Sequence, residues 1–290
     1  MDLYAIDVSK WQGAVDWAAV KNAGVTHAML RAGYGAGTVD PQFKRNVANC
    51  ELHGIHWGCY WYSYAASPAE ARQEARACLD AIKGLRPTMP VAYDIEYEPC
   101  ILALDNDTRT EMVQAFLGEI EAAGYYGILY ASRDFIANRL NWRALAQYDV
   151  WCAQYSSACT CPLPYGMWQY SSANTLGIPG FGKSLDCNRV YKDYPQIIRN
   201  AGLNGWAETS TTPEPEPEPE PVEPPVAAQL QTLCILDAGE DIVAKAQALG
   251  LPVRPVQGYE IGPASSGDAM TLWGMAQAAG KHYYASYTES

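Results

Sequence analysis

Residues 90–98 read PVAYDIEYE, and this stretch decides the fold class. Apart from two acids, residues 91–97 have the composition of a buried β-strand. Side chains at i and i+2 of a strand point to the same face, about 6.6 Å apart, so Asp94 and Glu96 share one side. Burying two like charges together is costly. The pair therefore predicts a functional site on this strand.

On both sides of this stretch, short apolar segments alternate with helical patterns. We expect strands at residues 4–9, 27–33, 56–65, 91–97, 126–132, 150–156, 166–172 and 184–191. We expect helices at residues 14–23, 42–53, 68–83, 108–123 and 142–147. Repeated β-then-α units predict a parallel sheet, and eight strands that close predict a TIM-like (β/α) barrel whose last strands lack helices. An open doubly wound sheet is the alternative.

A barrel of this kind carries its active site at the C-terminal ends of its strands. Side chains suited to a site lie near those ends, and they are expected to line one cleft. The acids are Asp7, Asp94, Glu96 and Asp186. The candidate substrate contacts are Arg31, Tyr62, Tyr130, Gln154, Trp168 and Tyr170.

Carboxylates that converge beside aromatic rings suit hydrolysis of a glycosidic bond, in which one acid protonates the leaving oxygen. Two carboxylates in one apolar wall cannot both ionise cheaply, so one pKa should rise. We expect Glu96 to hold this proton and Asp94 to be ionised. In the structural interpretation of single acids, Asp7 caps a turn and Asp186 pairs with Arg189. Four acids at one mouth favour the functional interpretation.

Several motifs resemble those of the family 25 glycoside hydrolases, the muramidases of bacteriophage endolysins and bacterial autolysins. They are YAIDVSKWQG at residues 4–13, VAYDIEYE at 91–98, the Asp40-x-x-Phe43-x-x-Asn46 pattern, WQY at 168–170 and LDCN at 185–188. The resemblance covers about residues 3–195. It implies an incomplete (β/α) barrel that cleaves the β-1,4 bond between N-acetylmuramic acid and N-acetylglucosamine.

The resemblance also implies roles for single residues. Glu96 matches the catalytic acid of the family, and Asp94 matches the carboxylate beside it, which assists a water or the acetamido group of the substrate. Asp7 and Asp186 match two further cleft acids, and Tyr62 and Trp168 match ring contacts to sugar. Spacing along a strand does not decide whether hydrolysis retains or inverts the configuration of the anomeric carbon.

Composition limits the partners. A formal net charge of −12 argues against nucleic acid and against insertion into an anionic membrane, so bacterial peptidoglycan is the expected partner. The nine cysteines are expected to be mostly buried free thiols. Cys159 and Cys161 form a C-x-C motif without a second ligand pair, so we expect no metal and no cofactor.

The sequence predicts three regions: a barrel at residues 1–206, a Pro/Glu linker at 207–227, and a C-terminal domain at 228–290. Alternating Pro and Glu at residues 213–220 favour extended polyproline II. The last region predicts a small α+β domain with strands at 233–239, 253–262 and 281–289 and helices at 240–250 and 266–280. Its function is expected to be wall binding, homo-oligomerisation or both, and its resemblance to domains of endolysins active on clostridia-like bacteria is weaker.

The leading hypothesis is an endolysin that is made in a host cytoplasm without a signal peptide and acts on the cell wall after release. This follows from an N-terminus, MDLYAIDVSKWQG, that lacks the basic and apolar regions of a secretory signal. The alternatives are a bacterial autolysin of the same activity and a non-catalytic peptidoglycan-binding module.

Overall fold

The computed structural model describes residues 3–206, 231–235, 240–249, 253–256, 258–264 and 283–287. The chain divides into two compact units, Met1–Thr212 and Pro213–Ser290. The predicted linker at 207–227 lies outside the described residues.

The first unit contains a β-barrel. Its strands are β1 (Leu3–Val8), β2 (His27–Tyr34), β3 (Thr38–Val39), β4 (His56–Tyr62), β5 (Val91–Asp94), β6 (Gly127–Ser132), β7 (Asp149–Ala153), β8 (Met167–Ala173) and β9 (Ser184–Val190). Each of the eight predicted strands overlaps one of these. The short strand β3, which pairs with β2 as a hairpin, was not predicted.

Helices follow most of the strands. They are α1 (Trp17–Asn22), α2 (Phe43–Leu52), α3 (Pro68–Ile82), α4 (Pro99–Leu102), α5 (Asn106–Ala122), α6 (Arg133–Arg139) and α7 (Tyr194–Asn200). The predicted helix at 142–147 is a 3₁₀ helix, Trp142–Leu145, and α4, α6 and α7 were not predicted. Several helices begin after a Ser or Asp whose side chain accepts a hydrogen bond from the backbone N–H three residues later, as Ser67 does before α3.

Pairing of the first and last strands closes the barrel. β1 pairs with β2 in parallel and with β9 in an antiparallel arrangement, so the open-sheet alternative is wrong. β9 is also antiparallel to β8. The expectation that the last strands lack intervening helices is confirmed between β7 and β9.

Alternation along the strands separates two apolar cores. On β1, Ala5 lies in the core inside the barrel, whereas Ile6 and Val8 lie in the layer outside it. On β5, Ala92 faces inward and Tyr93 faces outward. Since successive side chains of a strand point to opposite faces, Asp7 and Asp94 are directed into the barrel.

One buried asparagine connects the last described residues of the first unit to the rest of that unit through hydrogen bonds. Asn204 has φ of 55° and is fully buried. Its side chain accepts a hydrogen bond from the Tyr126 N–H (2.8 Å) and donates to the carbonyl oxygens of Pro87 (2.9 Å) and Met89 (3.0 Å). We expect Asn204→Ala to lower the free energy of unfolding by about 3 kcal/mol in denaturant titration, because buried backbone groups lose their partners.

Asn204→Gly separates the two contributions to this loss. Glycine adopts positive φ freely but makes none of the side-chain hydrogen bonds. If the glycine variant is as stable as the unmodified protein, the hydrogen bonds contribute nothing and the explanation is wrong.

The described cysteines of the first unit are all free thiols: Cys50, Cys59, Cys78, Cys100, Cys152, Cys159, Cys161 and Cys187. Five of these are buried and three are half-buried. Among the helices of the described residues, none combines the length and apolarity that crossing a bilayer requires.

The second unit contains a four-stranded antiparallel sheet with strand order β11-β12-β10-β13. Its elements are β10 (Gln231–Ile235), α8 (Glu240–Ala248), β11 (Val253–Val256), β12 (Gly258–Ala264) and β13 (Tyr283–Tyr287). The single strand expected at 253–262 is two strands that pair with each other. The predicted helix at 266–280 lies outside the described residues.

Candidate active site

Four acids line one cavity at the end of the barrel where the parallel strands finish: Asp7, Asp94, Glu96 and Asp186. Asp186 lies near the start of β9, yet it reaches the same mouth because β9 runs antiparallel to β1. Asp7 and Asp186 are direct partners in the register of these two strands. The structure therefore brings together all four acids that the sequence singled out.

The cleft has two adjoining compartments. The acidic compartment, of about 300 Å³, is lined by the four acids and by Arg31, Tyr60, Tyr62, Gln169 and neighbouring side chains. The aromatic compartment, of about 340 Å³, is lined by Tyr97, Arg133, Asp134, Gln154 and neighbouring side chains. Glu96, Tyr130 and Tyr155 line both compartments. Glu96 therefore stands where the two meet.

Asp7 is held in a buried amide network. Its Oδ2 accepts hydrogen bonds from Gln169 Nε2 (3.0 Å) and Asn188 Nδ2 (2.8 Å). Gln169 in turn accepts from the hydroxyls of Tyr130 and Tyr155, both at 3.0 Å. Burial, reinforced by the charge of Asp186, raises the pKa of Asp7 to about 8.

Asp94 and Glu96 share a hydrogen bond. Burial raises the pKa of Asp94 well above its usual range, and the charges of Glu96 and Asp7 raise it further. Burial also raises the pKa of Glu96, but the hydrogen bond with Asp94 lowers it. Two carboxyl groups in hydrogen-bonding contact can hold one proton between them, and the pair then titrates as a unit.

The sequence-based expectation that one of the two pKa values rises is met by both groups, and the assignment of the proton to Glu96 stays a prediction. Asp94 is buried at 4% exposure, whereas Glu96 is only half-buried at the compartment boundary. Within the described part of the chain, no group donates a hydrogen bond to the buried Asp94 Oδ1. An ionised Asp94 would need a hydrogen-bond donor at this oxygen. A protonated Asp94 that donates to Glu96 carries no charge and needs such a donor less.

Two predicted contacts, Arg31 and Tyr62, line the acidic compartment, but each is held by an acid. The Arg31 guanidinium pairs with Asp40, with its Nε 2.8 Å from Oδ2. Asp40 also accepts from the backbone N–H groups of Lys10 (3.0 Å) and Gln42 (2.9 Å). The Tyr62 hydroxyl donates to Glu98 Oε1 at 2.6 Å. Both side chains are therefore oriented before any ligand arrives.

Gln154 and Tyr130 line the cleft as expected, but Trp168 and Tyr170 are not among its lining residues. On β8, Gln169 points into the barrel to Asp7, so its two neighbours point outward. Trp168 Nε1 donates to the Gln154 carbonyl oxygen (2.8 Å), and Tyr170 packs against the outer core. The structure therefore places these two rings outside the lining of both compartments, and substrate contact by either ring stays a prediction.

Among the rings that line the cleft, Trp11 and Tyr155 were not named as site residues, whereas Gln169 was expected at the cleft and lines it. Asn188, which donates to Asp7, was not named, and strand alternation could have identified it because its side chain points inward. Trp11 and Tyr155 lie in connections between strands, where the two-residue alternation of a strand does not predict the direction of a side chain. Trp11 is 76% exposed and Tyr155 is 58% exposed, and both rings line the acidic compartment.

Despite these acids, no group of His, Cys, Asp and Glu side chains in the described ranges is arranged to hold a metal ion. The negative charge of the cleft is instead reduced by protonation, as the raised pKa values of Asp7 and Asp94 indicate.

Asp7→Asn tests this state of charge through stability. An acid whose pKa rises from 3.8 unfolded to about 8 folded stabilises the fold below pH 4, and this contribution is lost as pH rises toward 8. The side-chain amide of the variant does not ionise, so its contribution to stability does not fall as pH rises. Its oxygen can still accept hydrogen bonds from Gln169 and Asn188. We expect the variant to be more stable than the unmodified protein by about 2 kcal/mol at pH 8, with the difference vanishing near pH 4. Thermal denaturation across this pH range measures it.

Asp80→Asn makes the same chemical change on the exposed face of α3 and should show no such trend. A stability difference for Asp7→Asn that stays constant from pH 4 to 8 would contradict a protonated Asp7.

Comparison with known proteins gives one family. The model of the glycosyl hydrolases family 25 matches residues 6–178, which is more than half of the chain. Lysozyme M1 of Streptomyces globisporus is 28% identical over 199 residues, covering 63% of this chain and 66% of that protein.

Two solved structures show the same relationship. The CTP1L endolysin is 27% identical with a TM-score of 0.59, covering 68% of this chain and 70% of that one. The modular autolysin LytC from Streptococcus pneumoniae, solved with a synthetic peptidoglycan ligand, is 25% identical with a TM-score of 0.58. That alignment covers 66% of this chain and 47% of LytC.

Proposed function

Since the chain belongs to the family 25 glycosyl hydrolases, we propose that it is an N-acetylmuramidase of bacterial peptidoglycan, cleaving the β-1,4 bond between N-acetylmuramic acid and N-acetylglucosamine. The observation that carries the proposal is the Asp94–Glu96 pair, two hydrogen-bonded carboxyl groups with raised pKa at the junction of two compartments. Glycosidic bond cleavage needs one carboxyl group that carries a proton near neutral pH.

In this mechanism Glu96 is the general acid. A sugar bound across the two compartments removes the remaining water from Glu96, which raises its pKa further. The proton that Asp94 shares in the free protein then resides on Glu96, from which it passes to the glycosidic oxygen. Asp94 becomes the carboxylate beside the reacting centre, where it can orient a water or the acetamido group of the substrate.

Asp7 and Asp186 contribute through charge. Positive charge develops on the sugar ring in the oxocarbenium-like transition state. Burial raises the pKa of Asp186, as it does that of Asp7, so both carboxyl groups hold protons more readily than exposed acids. Developing positive charge favours their ionised forms, and their interaction with the ring is thus stronger in the transition state than in the ground state.

Exposed rings supply sugar contacts. Trp11 lines the acidic compartment, and Lys10 Nζ lies 4.9 Å from the centre of its ring. A sugar that stacks on such a ring gains on the order of 1 kcal/mol beyond its hydrogen bonds. We expect Trp11→Ala to raise KM about fivefold with little change in kcat, as measured by the rate of wall digestion against substrate concentration.

Leu52→Ala is the matched control, because Leu52 is equally exposed, at 77%, and is not among the cleft residues. An unchanged KM in Trp11→Ala would remove this ring from the substrate contacts.

For the whole protein we propose a modular wall-lytic enzyme in which residues 1–206 form the muramidase, 207–227 the linker and 228–290 a domain for wall binding, oligomerisation or both. The division into two compact units supports this arrangement. An endolysin released onto the host wall and an autolysin are both consistent with the relatives, since CTP1L is an endolysin and LytC an autolysin.

Product analysis tests the function. Purified peptidoglycan is digested, the new reducing ends are reduced with borohydride, and the muropeptides are identified by mass spectrometry. Reduced N-acetylmuramic acid is the expected product. Reduced N-acetylglucosamine would identify a glucosaminidase instead, and the absence of new reducing ends from a protein that still sediments with walls would identify a non-catalytic binding module.

A further inference from the structure

Peptidoglycan is an anionic substrate for an acidic cleft. The chain has a formal net charge of −12, and four acids line the acidic compartment. Peptidoglycan brings further negative charge, because each N-acetylmuramic acid carries, through its lactyl group, a short peptide stem with free carboxylates. Since like charges repel, cations near the stems would offset part of this repulsion when the strand binds.

Among the described residues, two cationic side chains line the compartments, and one of them is available to a ligand. Arg31 is held by an acid, as described above. Arg133 lines the aromatic compartment and forms no ion pair within the described ranges. Its Nε donates a long hydrogen bond to the Thr160 carbonyl oxygen (3.4 Å), and the neighbouring Asp134 instead accepts from the Tyr97 hydroxyl (2.6 Å). The terminal nitrogens of Arg133 are therefore free to bind a carboxylate.

A third cation, Lys10, stands at the rim of the acidic compartment. It begins a one-turn 3₁₀ helix after β1, and its neighbours Ser9, Trp11 and Gln12 line the compartment. Lys10 Nζ lies 4.9 Å from the centre of the Trp11 ring and 5.3 Å from that of the Tyr34 ring. No acid in the described part of the chain pairs with it. The two rings thus hold the ammonium in place without neutralising its charge.

The two available cations lie on opposite sides of the barrel mouth. Lys10 comes two residues after the end of β1, and Arg133 directly follows the last residue of β6. In the closed barrel three strands separate β1 from β6 in either direction, namely β9, β8 and β7 or β2, β4 and β5. Glu96 lies at the junction of the two compartments. One cation therefore stands on each side of the place where the glycosidic bond is cleaved.

We propose that Lys10 and Arg133 bind carboxylates of the peptide stems, one on each side of the cleaved bond, so that the preferred substrate is glycan with charged stems. This rests on the muramidase function proposed above. N-acetylmuramic acid alternates with N-acetylglucosamine, so the muramic acids nearest to the cleaved bond lie on opposite sides of it, with one N-acetylglucosamine between them. One stem-bearing sugar therefore lies on each side of the junction, as one cation does.

The two cations suit different contacts with a carboxylate. The Arg133 guanidinium can donate two parallel hydrogen bonds to it, whereas the Lys10 ammonium acts as a point charge. Both contacts lie away from the reacting carbon and are the same in the ground state and the transition state. They should therefore lower KM rather than raise kcat.

The test compares two substrates made from the same soluble, uncross-linked glycan strands. One keeps its charged stems, and in the other a carbodiimide and excess methylamine have converted the stem carboxylates to methylamides. The rate at which the full-length protein releases reducing ends is measured against substrate concentration. We expect kcat/KM to be about tenfold higher for the charged strands, and added salt to reduce this preference. Equal values for the two substrates would overturn the proposal.

Substitution of each cation assigns the preference to it. Lys10→Met and Arg133→Gln should each lower the ratio of the two kcat/KM values about threefold, mainly by raising KM for the charged strands. Lys44→Met on α2 and Arg72→Gln on α3 make the same changes at exposed positions and should leave the ratio unchanged. If Lys10→Met and Arg133→Gln lower both values equally and keep the ratio, these residues support the cleft rather than bind stems, and the proposal is overturned.

Binding separates this proposal from the function on which it rests. Calorimetric titration of Glu96→Gln with each kind of strand measures affinity without turnover, and the charged strands should bind more tightly. Adding Lys10→Met or Arg133→Gln to this variant should reduce the difference. If reducing N-acetylmuramic acid is released from both substrates but their affinities are equal, stem recognition fails and the muramidase function stands. If neither substrate is cleaved and the charged strands still bind more tightly, the muramidase function fails and stem recognition stands.

Discussion

Glu96→Gln is expected to lower kcat for peptidoglycan hydrolysis about 10³-fold, because the amide keeps the shape of the side chain but cannot give a proton to the glycosidic oxygen. KM should change little, since glutamine still fills the junction of the two compartments. The variant should therefore sediment with walls while failing to clear them. The measurement is the initial rate of clearing of a wall suspension, combined with the amount of protein bound to the walls.

Glu111→Gln provides the matched control, as it makes the same change on the exposed face of α5. It should clear walls at the unmodified rate. Clearing by Glu96→Gln at more than about a tenth of that rate would be incompatible with Glu96 as the acid, whatever the activity of the control.

The second large effect is expected from Asp94→Asn, which should lower kcat about 10²-fold and shift the alkaline limb of the pH–rate profile to lower pH. Asparagine donates a hydrogen bond to the Glu96 carboxylate permanently, and it removes the like charge that competes for the shared proton. Both effects lower the pKa of Glu96, so that its acid form is lost at lower pH than in the unmodified protein.

The pH dependence distinguishes this explanation from general damage to the site. A variant that merely packs badly would lose activity equally at every pH, and Asp80→Asn on α3 should leave the profile unchanged. An alkaline limb that stays in place, or moves to higher pH, would show that Asp94 does not share the proton used by Glu96.

Protonation of the acid pair could be predicted from the sequence only in part. The D-x-E spacing predicted that one of the two pKa values rises, and both rise. Which carboxyl group holds the proton depends on relative burial, and Glu96, two residues after the end of β5, is half-buried at the edge of the cleft while Asp94 lies deeper. A sequence does not contain that depth, because it depends on side chains from β1, β4 and β6 that pack around the pair.

The position of two rings outside the cleft lining has a different cause. Trp168 and Tyr170 were chosen for residue type, whereas the alternation on β8 directs Gln169 inward to Asp7 and both rings outward. The information was present in the chain, but the register of one strand relative to its neighbours was needed to use it. Trp11 and Tyr155 are the opposite case, since their connections have no periodic pattern from which a direction could be predicted.

By itself, the sequence determined the approximate positions of the eight strands and the four acids of the cleft, and it favoured a barrel over an open sheet. These features follow from local patterns, because apolar alternation defines a strand and acids at strand ends of a closed barrel have only one mouth to occupy. Only the tertiary structure decided that β9 runs antiparallel, which rings face the cleft and how deeply each of the two carboxyl groups is buried. Each of these depends on distances between residues far apart in the chain, and pKa, burial and contact are properties of the packed molecule rather than of any one segment.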